Sequence, residues 1–446
     1  MDNAIQRGQS WHCFSFFWGS EKLLRQESRY RWVVFFAVLI AYYFIVSQRT
    51  APGLITNQLM RTFHISAATI GLLGSLQFLA YAVLQIPVGL LSDRFGPNRF
   101  LIVGALLNGL GTLLYSVSGG EYMLMVARFL VGMGDATIFV NFVSVVNQWF
   151  RPKEFINLLG VIGVAAGLGS LTATVPYAVW ISAVGWRVPF FVIGIVIIAC
   201  ALLLYFVLVI QPNRKFPPKT DMHEGLLRPQ APVLTTLRRM FSTRQAWATA
   251  MCHFGLVGTY VGFIGSWGVP YFMQVFGMSR AVASSLLMCG LFGAMAGGPV
   301  TSALASRLGM TKRIYTFVHA ITFVSWMTWF LLGDKPPLWA IVILLVLIGF
   351  GNGGSSLTFA LVRDSFPIEM VGVVSGFSNM GGFVSAVLLP SLFGYVLGLF
   401  PLHVIAHGYH YGLVIPSLFS FVGLVGVRLV RQLKPTELGA DFGISI

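Results

Sequence analysis

Charged residues are scarce in this sequence. Only 10% of its 446 residues are Asp, Glu, Lys or Arg, whereas soluble domains average about 25%. Because so few charges cannot cover a solvated surface, a soluble enzyme of this length is not expected, and the 56% hydrophobic content excludes a disordered chain. The composition therefore predicts a polytopic membrane protein with the lipid bilayer as its surroundings.

Several functional motifs are also missing. The four cysteines show no metal-ligand or disulfide spacing, no GxxxxGK[ST] nucleotide-binding loop occurs, and residues 1–30 lack a signal-peptide cleavage pattern. We therefore expect no cofactor, no metal, no enzymatic activity and no use of ATP. The net charge of +15 comes from short basic runs between apolar segments, so no nucleic-acid partner is expected either.

Twelve apolar segments are long enough to cross a bilayer as helices, which takes about 20 residues each. They cover roughly residues 31–56, 67–91, 100–118, 122–149, 156–184, 188–210, 246–275, 280–305, 313–333, 337–362, 370–398 and 409–430. The fold predicted is an all-α membrane protein made of two six-helix bundles. The predicted parts are an N-terminal tail, the first bundle, a basic linker, the second bundle and a C-terminal tail, over residues 1–30, 31–210, 211–245, 246–430 and 431–446.

The basic residues predict how the chain is oriented. Of the 29 Lys and Arg residues, four lie in loops on one side and two lie inside spans: Arg61, Arg187, Arg280 and Lys335, then Arg49 and Arg128. The remaining 23 lie on the other side, which the positive-inside rule assigns to the cytoplasm. We therefore expect cytoplasmic termini and a plasma-membrane location, the inner membrane in a bacterium.

The two predicted bundles resemble each other in sequence. Asp93 and Ser306 occupy similar places after the second and eighth spans, 213 residues apart. Asp135 and Asn352 end the similar runs Gly-Met-Gly-Asp and Gly-Phe-Gly-Asn, 217 residues apart. Such near-constant offsets indicate an internal duplication. Secondary transporters built from two duplicated halves place one binding site between the halves, which rock about it.

The loop after the second span resembles the signature of the major facilitator superfamily between its second and third helices. It reads Gly89-x-x-x-Asp93-Arg94-x-Gly96-x-x-Arg99. The resemblance extends over roughly residues 31–430 and implies a secondary transporter that works by alternating access. We expect it to function as a monomer.

Four residues at helix ends are predicted to form a cytoplasmic gate: Asp93, Arg94, Arg99 and Arg307. A carboxylate there can pair with an arginine or cap the N-terminus of a neighbouring helix. Because Ser306 replaces the acid in the second copy, the second gate is expected to be weaker.

Three charges are predicted to lie within the membrane: the acid Asp135 and the bases Arg49 and Arg128. Each costs about 2.5–3.5 kcal/mol even on the lenient insertion scale, so each needs a partner or a watery cavity. Arg49 lies near Asp135 in predicted depth, and Arg128 shares a helix face with Asp135. A functional network and an ion pair that only braces the first bundle both stay open.

Residues 42–52 look like the first helix of organic-anion transporters in this superfamily. The resemblance implies that Arg49 binds a carboxylate or phosphate of the substrate. It also implies that Asp135, which aligns with an acid in the fourth helix of these transporters, exchanges the coupling proton. The superfamily's fourth-helix pattern associates an arginine at the position of Arg128 with proton coupling.

Five further polar residues are candidate substrate contacts: Gln77, Tyr81, Gln85, Asn352 and Asn379. The first three share one face of the second span, at positions i, i+4 and i+8. Tyr81 and Gln85 also resemble a pair in the organic-anion transporters, where the tyrosine touches substrate. Hydrogen bonds that merely pack helices together explain these residues about equally well.

The favoured function is proton-coupled uptake of a small carboxylate-bearing metabolite, an organic anion or amino acid. A proton-driven exporter of lipophilic compounds and a non-transporting receptor or scaffold remain alternatives. Sugar-acid symporters often read Asp-Arg where this chain reads Gln48-Arg49, and they carry a polar amide near residues 164–167, where this chain reads Val-Ala-Ala-Gly. Both departures weaken the case for a polyhydroxylated substrate.

Overall fold

Twelve helical segments in the described part of the chain are long and apolar enough to cross a membrane. The computed structural model describes residues 28–65, 67–173, 175–212, 233–367 and 370–431. The segments, α1 to α12, are Tyr30–Thr50, Ala67–Phe95, Pro97–Ser116, Glu121–Trp149, Pro152–Val184, Arg187–Ile210, Arg244–Phe276, Arg280–Leu308, Thr311–Leu331, Leu338–Ser365, Val371–Gly398 and Ile405–Leu429. This confirms the predicted all-α membrane fold. Most of both tails, and linker residues 213–232, lie outside the described residues.

Small residues let the helices of the first bundle, α1 to α6, approach closely. A Cβ on Gly104 of α3 would stand 2.9 Å from the carbonyl oxygen of Gly134 on α4. Because lipid tails are as apolar as the side chains, such close van der Waals packing is a main source of helix association in a membrane. The contact also places Asn108, one turn along α3, beside Asp135 of α4.

The second bundle, α7 to α12, packs around an aromatic core. Phe263 of α7 makes edge contacts with both Trp326 and Trp329 of α9, at centroid separations of 5.2 and 5.5 Å, and these two tryptophans stack on each other. Helix α7 contains two π-helical turns, Phe254–Gly258 and Ile264–Gly268. Such turns are rare, and they often occur at functional sites.

Helix α1 begins at the same face of the molecule at which helix α12 ends. We call this end the basic face, since many described basic residues lie at helix ends there, among them Arg99, Arg151, Arg313 and Arg428. Arg61, Arg187 and Lys335 lie at the opposite face.

The two bundles meet along α2 with α11 and along α5 with α8. The contacts between α2 and α11 run from Asp93 at the basic face to the ring pair of Phe78 and Phe383. Those between α5 and α8 run from a hydrogen bond of Ser306 to the packing of Gly167 on Met295. The described contacts between the bundles concentrate in the half of the molecule next to the basic face.

Candidate functional site

A fully buried carboxylate, that of Asp135, lies at the centre of the first bundle. It accepts hydrogen bonds from Arg49 Nε at 3.0 Å, Gln77 Nε2 at 2.7 Å and Asn108 Nδ2 at 2.8 Å. The three donors come from α1, α2 and α3. A buried charge is tolerated when it is both paired and hydrogen-bonded, and this arrangement supplies both conditions. Of these residues only Asn108 was not predicted from the sequence.

Arg49 lies in the last turn of α1. The predicted first span, residues 31–56, continues through Pro52, but the helix ends at Thr50 and a 3-10 turn follows over Ala51–Leu54. The missing proline N–H ends the helix instead of bending it. A cation in a last helical turn is also favoured by the helix dipole.

The two members of the ion pair differ in exposure. The side chain of Arg49 is 18% exposed and that of Asp135 is 0% exposed. The guanidinium of Arg49 lies 5.3 Å from the ring centroid of Tyr81, and its Nη2 has no hydrogen-bond partner among the described residues. Arg49 is therefore the more accessible member of the pair, and its Nη2 is a buried donor without a described acceptor.

Three predicted substrate contacts are bonded to one another across the two bundles. Asn379 Nδ2 of α11 donates to Tyr81 Oη at 3.0 Å and to Gln85 Oε1 at 2.9 Å, both on α2. Gln85 Nε2 donates in turn to the carbonyl of Ala136 at 3.2 Å. In this conformation these side chains join the bundles immediately beside Asp135.

The other two predicted residues stand apart from the ion pair. Arg128 is buried on α4 with its guanidinium 5.7 Å from the ring of Tyr115, and its Nη1 lacks a hydrogen-bond partner among the described residues. No hydrogen bond between Arg128 and Asp135 is described, although the two charges on α4 still interact. Asn352 is half-buried on α10 in the second bundle.

Comparison with known proteins identifies the family. The sequence matches the Major Facilitator Superfamily over residues 32–390. The chain belongs to this superfamily. A probable galactarate/D-glucarate transporter of Escherichia coli is 26% identical over 92% of this chain and 96% of the relative. The gentisate transporter of Corynebacterium glutamicum is 25% identical over 81% of each chain.

A solved structure shows the same fold. The fucose:proton symporter of Escherichia coli matches 91% of this chain and 100% of its own, with a TM-score of 0.72 and 15% identity. Membership in this superfamily makes the chain a membrane transporter and not an enzyme.

The superfamily loop of this chain contacts the opposite bundle through Asp93. Its carboxylate accepts hydrogen bonds from the backbone N–H groups of Gly372 at 3.0 Å and Val373 at 2.8 Å, at the N-terminus of α11. Arg94 and Arg99 are exposed, and the Arg94 guanidinium lies over Phe95 at 5.6 Å. Of the predicted gate residues in this loop, Asp93 is thus the one that the structure places between the bundles.

The second copy of the loop makes a different contact. Ser306 Oγ donates to the carbonyl of Lys153 at the long distance of 3.4 Å, and Arg307 is exposed. Nearby, the Arg363 guanidinium of α10 lies 4.4 Å from the ring centroid of Phe155 on α5. This cation–π contact between the bundles was not predicted, because nothing in the sequence links an arginine at the end of α10 to a ring 208 positions earlier.

Among the described residues, no group of three or more His, Cys, Asp or Glu side chains is placed to hold a metal ion.

Proposed function

We propose that this transporter takes up a small carboxylate-bearing metabolite together with a proton. The observation that carries the proposal is the ion pair of Arg49 and Asp135, in which a partly exposed guanidinium covers a fully buried acid. The names of the two relatives, which refer to organic acids, support the same class of substrate.

Arg49 can bind either of two carboxylates. A guanidinium binds a carboxylate through two parallel hydrogen bonds, so the carboxylate of a substrate competes with Asp135 for Arg49. When the substrate takes the guanidinium, Asp135 is left with two neutral amide donors, Gln77 and Asn108. An ionised acid that loses its charge partner in a buried site is costly, and proton uptake removes that cost.

Substrate binding and proton binding therefore favour each other. Substrate binding withdraws Arg49 from the pair and frees Asp135 to take a proton. Proton binding withdraws Asp135 from the pair and frees Arg49 to bind the substrate. Such reciprocal coupling is what a symporter requires, because the gain in affinity for one ligand equals the gain for the other.

The same pair is connected to the contact between the bundles. Tyr81 lies under the Arg49 guanidinium and bonds Asn379 of the other bundle. Gln85 bonds both Asn379 and the carbonyl next to Asp135. We propose that breaking the ion pair loosens these bonds, and that Asp93 holds the basic face closed until they part. Arg94, Arg99 and Arg307 assist at that face, which we take to be cytoplasmic.

Uptake by the purified protein in liposomes tests this function. Gentisate, benzoate and D-glucarate are each added outside vesicles that contain a pH-sensitive dye, with protein-free vesicles as the baseline for passive entry. An importer acidifies the vesicle interior when its anion is added, and an inside-alkaline gradient accelerates uptake. Acceleration by an inside-acidic gradient instead indicates proton-driven export, and a protein that moves neither anion nor proton is not a proton-coupled carrier.

A further inference from the structure

A short helix in the linker between the bundles has no part in the proposed transport cycle. It covers Val233–Ser242, and we call it the linker helix. Helix α7 begins at Arg244, so only Thr243 separates the two helices. Because α7 crosses the membrane from this end, the linker helix is held close to the bilayer surface at the basic face.

One edge of the linker helix is buried where the bundles meet. Met240 is fully buried in an apolar cluster that includes Val371 of α11, and Leu90 of α2 packs against the same cluster. The ring centroid of Phe241 lies 5.4 Å from that of Phe377 on α11. These contacts lie beside the N-terminus of α11, which the superfamily loop binds. The linker helix is therefore part of the packing that joins the bundles at the basic face.

The other edge of the linker helix is exposed and carries both apolar and basic side chains. Leu234 is 78% exposed and Phe241 is 43% exposed. Arg238 lies on the same stripe, since it follows Leu234 by four residues and precedes Phe241 by three. Arg238 and Arg239 are both exposed, and the described ion pairs include neither of them. The stripe therefore offers a positive charge beside exposed apolar surface.

Such a stripe is typical of a helix that lies in the headgroup layer of a membrane. The apolar side chains of an interfacial helix enter the acyl boundary, while long basic side chains beside them reach the headgroups. Trp247, in the first turn of α7, is 48% exposed and donates from Nε1 to the carbonyl of Phe241. Because tryptophan is enriched at this depth of a membrane, the linker helix and the start of α7 share one interfacial environment.

We propose that the linker helix is a binding site for anionic phospholipids. Leu234 and Phe241 enter the acyl layer there, and the Arg238 guanidinium binds the negatively charged headgroup. Arg239 lies about 100° further around the helix, away from the exposed apolar edge, and takes no part. Because the other edge packs beside α2 and α11, a bound lipid holds the bundles together at the basic face. The site is separate from the ion pair at the centre of the first bundle.

Quenching by brominated lipids tests this site in nanodiscs. A fluorophore is attached to Leu234→Cys in the full chain, with the four native cysteines replaced by alanine. The nanodiscs contain phosphatidylcholine and phosphatidylglycerol in a fixed ratio, and only one of the two lipids carries bromine on its acyl chains. We expect phosphatidylglycerol to be enriched about fivefold at the fluorophore, since that factor corresponds to the attraction of one basic residue to an anionic surface.

Two arginine variants on the same helix make the comparison specific. Arg238→Gln should abolish the preference for phosphatidylglycerol, whereas Arg239→Gln removes the same charge and should keep most of the preference. Both side chains are exposed, so the melting temperature should stay near that of the unmodified protein. A cysteine at the mouth of the basic face should also react more slowly in nanodiscs with phosphatidylglycerol than in phosphatidylcholine alone. Unchanged reactivity would contradict the claim that a bound lipid holds the bundles together.

Other results would overturn the lipid site itself. Lack of quenching by either lipid places the linker helix in water. Equal quenching by the two lipids, or equal losses from Arg238→Gln and Arg239→Gln, shows that Arg238 selects no headgroup. If inorganic phosphate removes the preference at constant ionic strength, the site takes a soluble anion and not a lipid. Proton-driven uptake is measured separately in liposomes, so none of these results decides the proposed function.

Discussion

At the scale of single residues, Arg49 has a geometry that an ammonium group cannot copy. Its guanidinium donates to Asp135 through Nε, lies over Tyr81 and keeps Nη2 without a described partner. We predict that Arg49→Lys weakens carboxylate binding by tenfold or more although the charge is kept, because the two-bond fork is lost. Calorimetric titration measures the change. Arg61→Lys at the exposed opposite face is the control, and unaltered affinity in Arg49→Lys would mean that Arg49 is only a structural charge.

Asn108 is expected to tune the proton affinity of Asp135. Asn108→Leu removes one of the three hydrogen bonds to the buried carboxylate, and a hydrogen bond to a charged group contributes about 1.5–3 kcal/mol. Since the ionised acid loses this stabilisation, Asp135 keeps its proton to higher pH, and uptake should persist to a more alkaline external pH. The pH profile of uptake in liposomes measures the shift.

A matched amide on the same helix controls for that change. Asn98 of α3 donates to the carbonyl of Leu208 near the basic face, away from Asp135. Asn98→Leu should leave the pH profile in place. Equal profiles for Asn108→Leu and the unmodified protein would show that Asn108 does not influence the coupling proton.

The sequence identified most of this site because charges are rare inside spans. Arg49 and Asp135 stand out against apolar neighbours, and their predicted depths differ by roughly 9 Å, much of which an arginine side chain can span. Asn108 did not stand out, because an amide within a span packs helices together as often as it serves a site. Its role depends on the close approach of Gly104 and Gly134, which is a property of the folded bundle.

At the scale of helices, we propose that the contact of Asp93 with α11 holds the basic face closed. We predict that Asp93→Asn lowers the stability of this state by about 1.5–3 kcal/mol, because one charge-assisted contact to backbone N–H groups is weakened. That corresponds to roughly a ten- to hundred-fold change in the balance between conformations. A cysteine introduced at the mouth of the basic face should react faster in the variant, while the order of preferred anions stays the same.

Asp334→Asn is the matched control for that experiment. Asp334 pairs with His407 at the opposite face. The substitution therefore changes an acid to an amide at a position that does not contact α11. Should Asp93→Asn alter which anion is preferred and leave the reactivity unchanged, Asp93 would belong to the binding site and not to a gate.

The number and approximate position of the helices were predictable from local sequence, and the contacts between helices were not. The twelve spans were predicted from the length of each apolar segment, which depends only on the residues within that segment. The bonds of Asn379 to Tyr81 and Gln85 join residues almost 300 positions apart, and no local pattern indicates them. The end of α1 at Thr50 was also misjudged, since a proline can either bend or end a helix and the packing of the following turn decides which.

At the scale of the whole molecule, the concentration of contacts at the basic face predicts a site that opens to the opposite face. Spin labels at Tyr122 and Trp339 should report this, because both are strongly exposed at the opposite face, one in each bundle. We predict that whichever of benzoate and D-glucarate binds more tightly shortens the distance between the labels at low pH, as the opposite face closes. Labels at Arg99 and Arg313 on the basic face should move apart in the same samples. Distances that stay fixed in both pairs would contradict alternating access.

Proton coupling through Asp135 is the central claim, and separating uphill uptake from exchange tests it most directly. The Asp135→Asn variant in liposomes is given whichever of benzoate and D-glucarate binds more tightly, first with an inside-alkaline gradient and then with equal anion on both sides. We predict that the gradient no longer drives accumulation, because the amide cannot exchange a proton, while counterflow exchange of labelled anion persists because Arg49 is intact. Accumulation by Asp135→Asn equal to that of the unmodified protein would contradict the account.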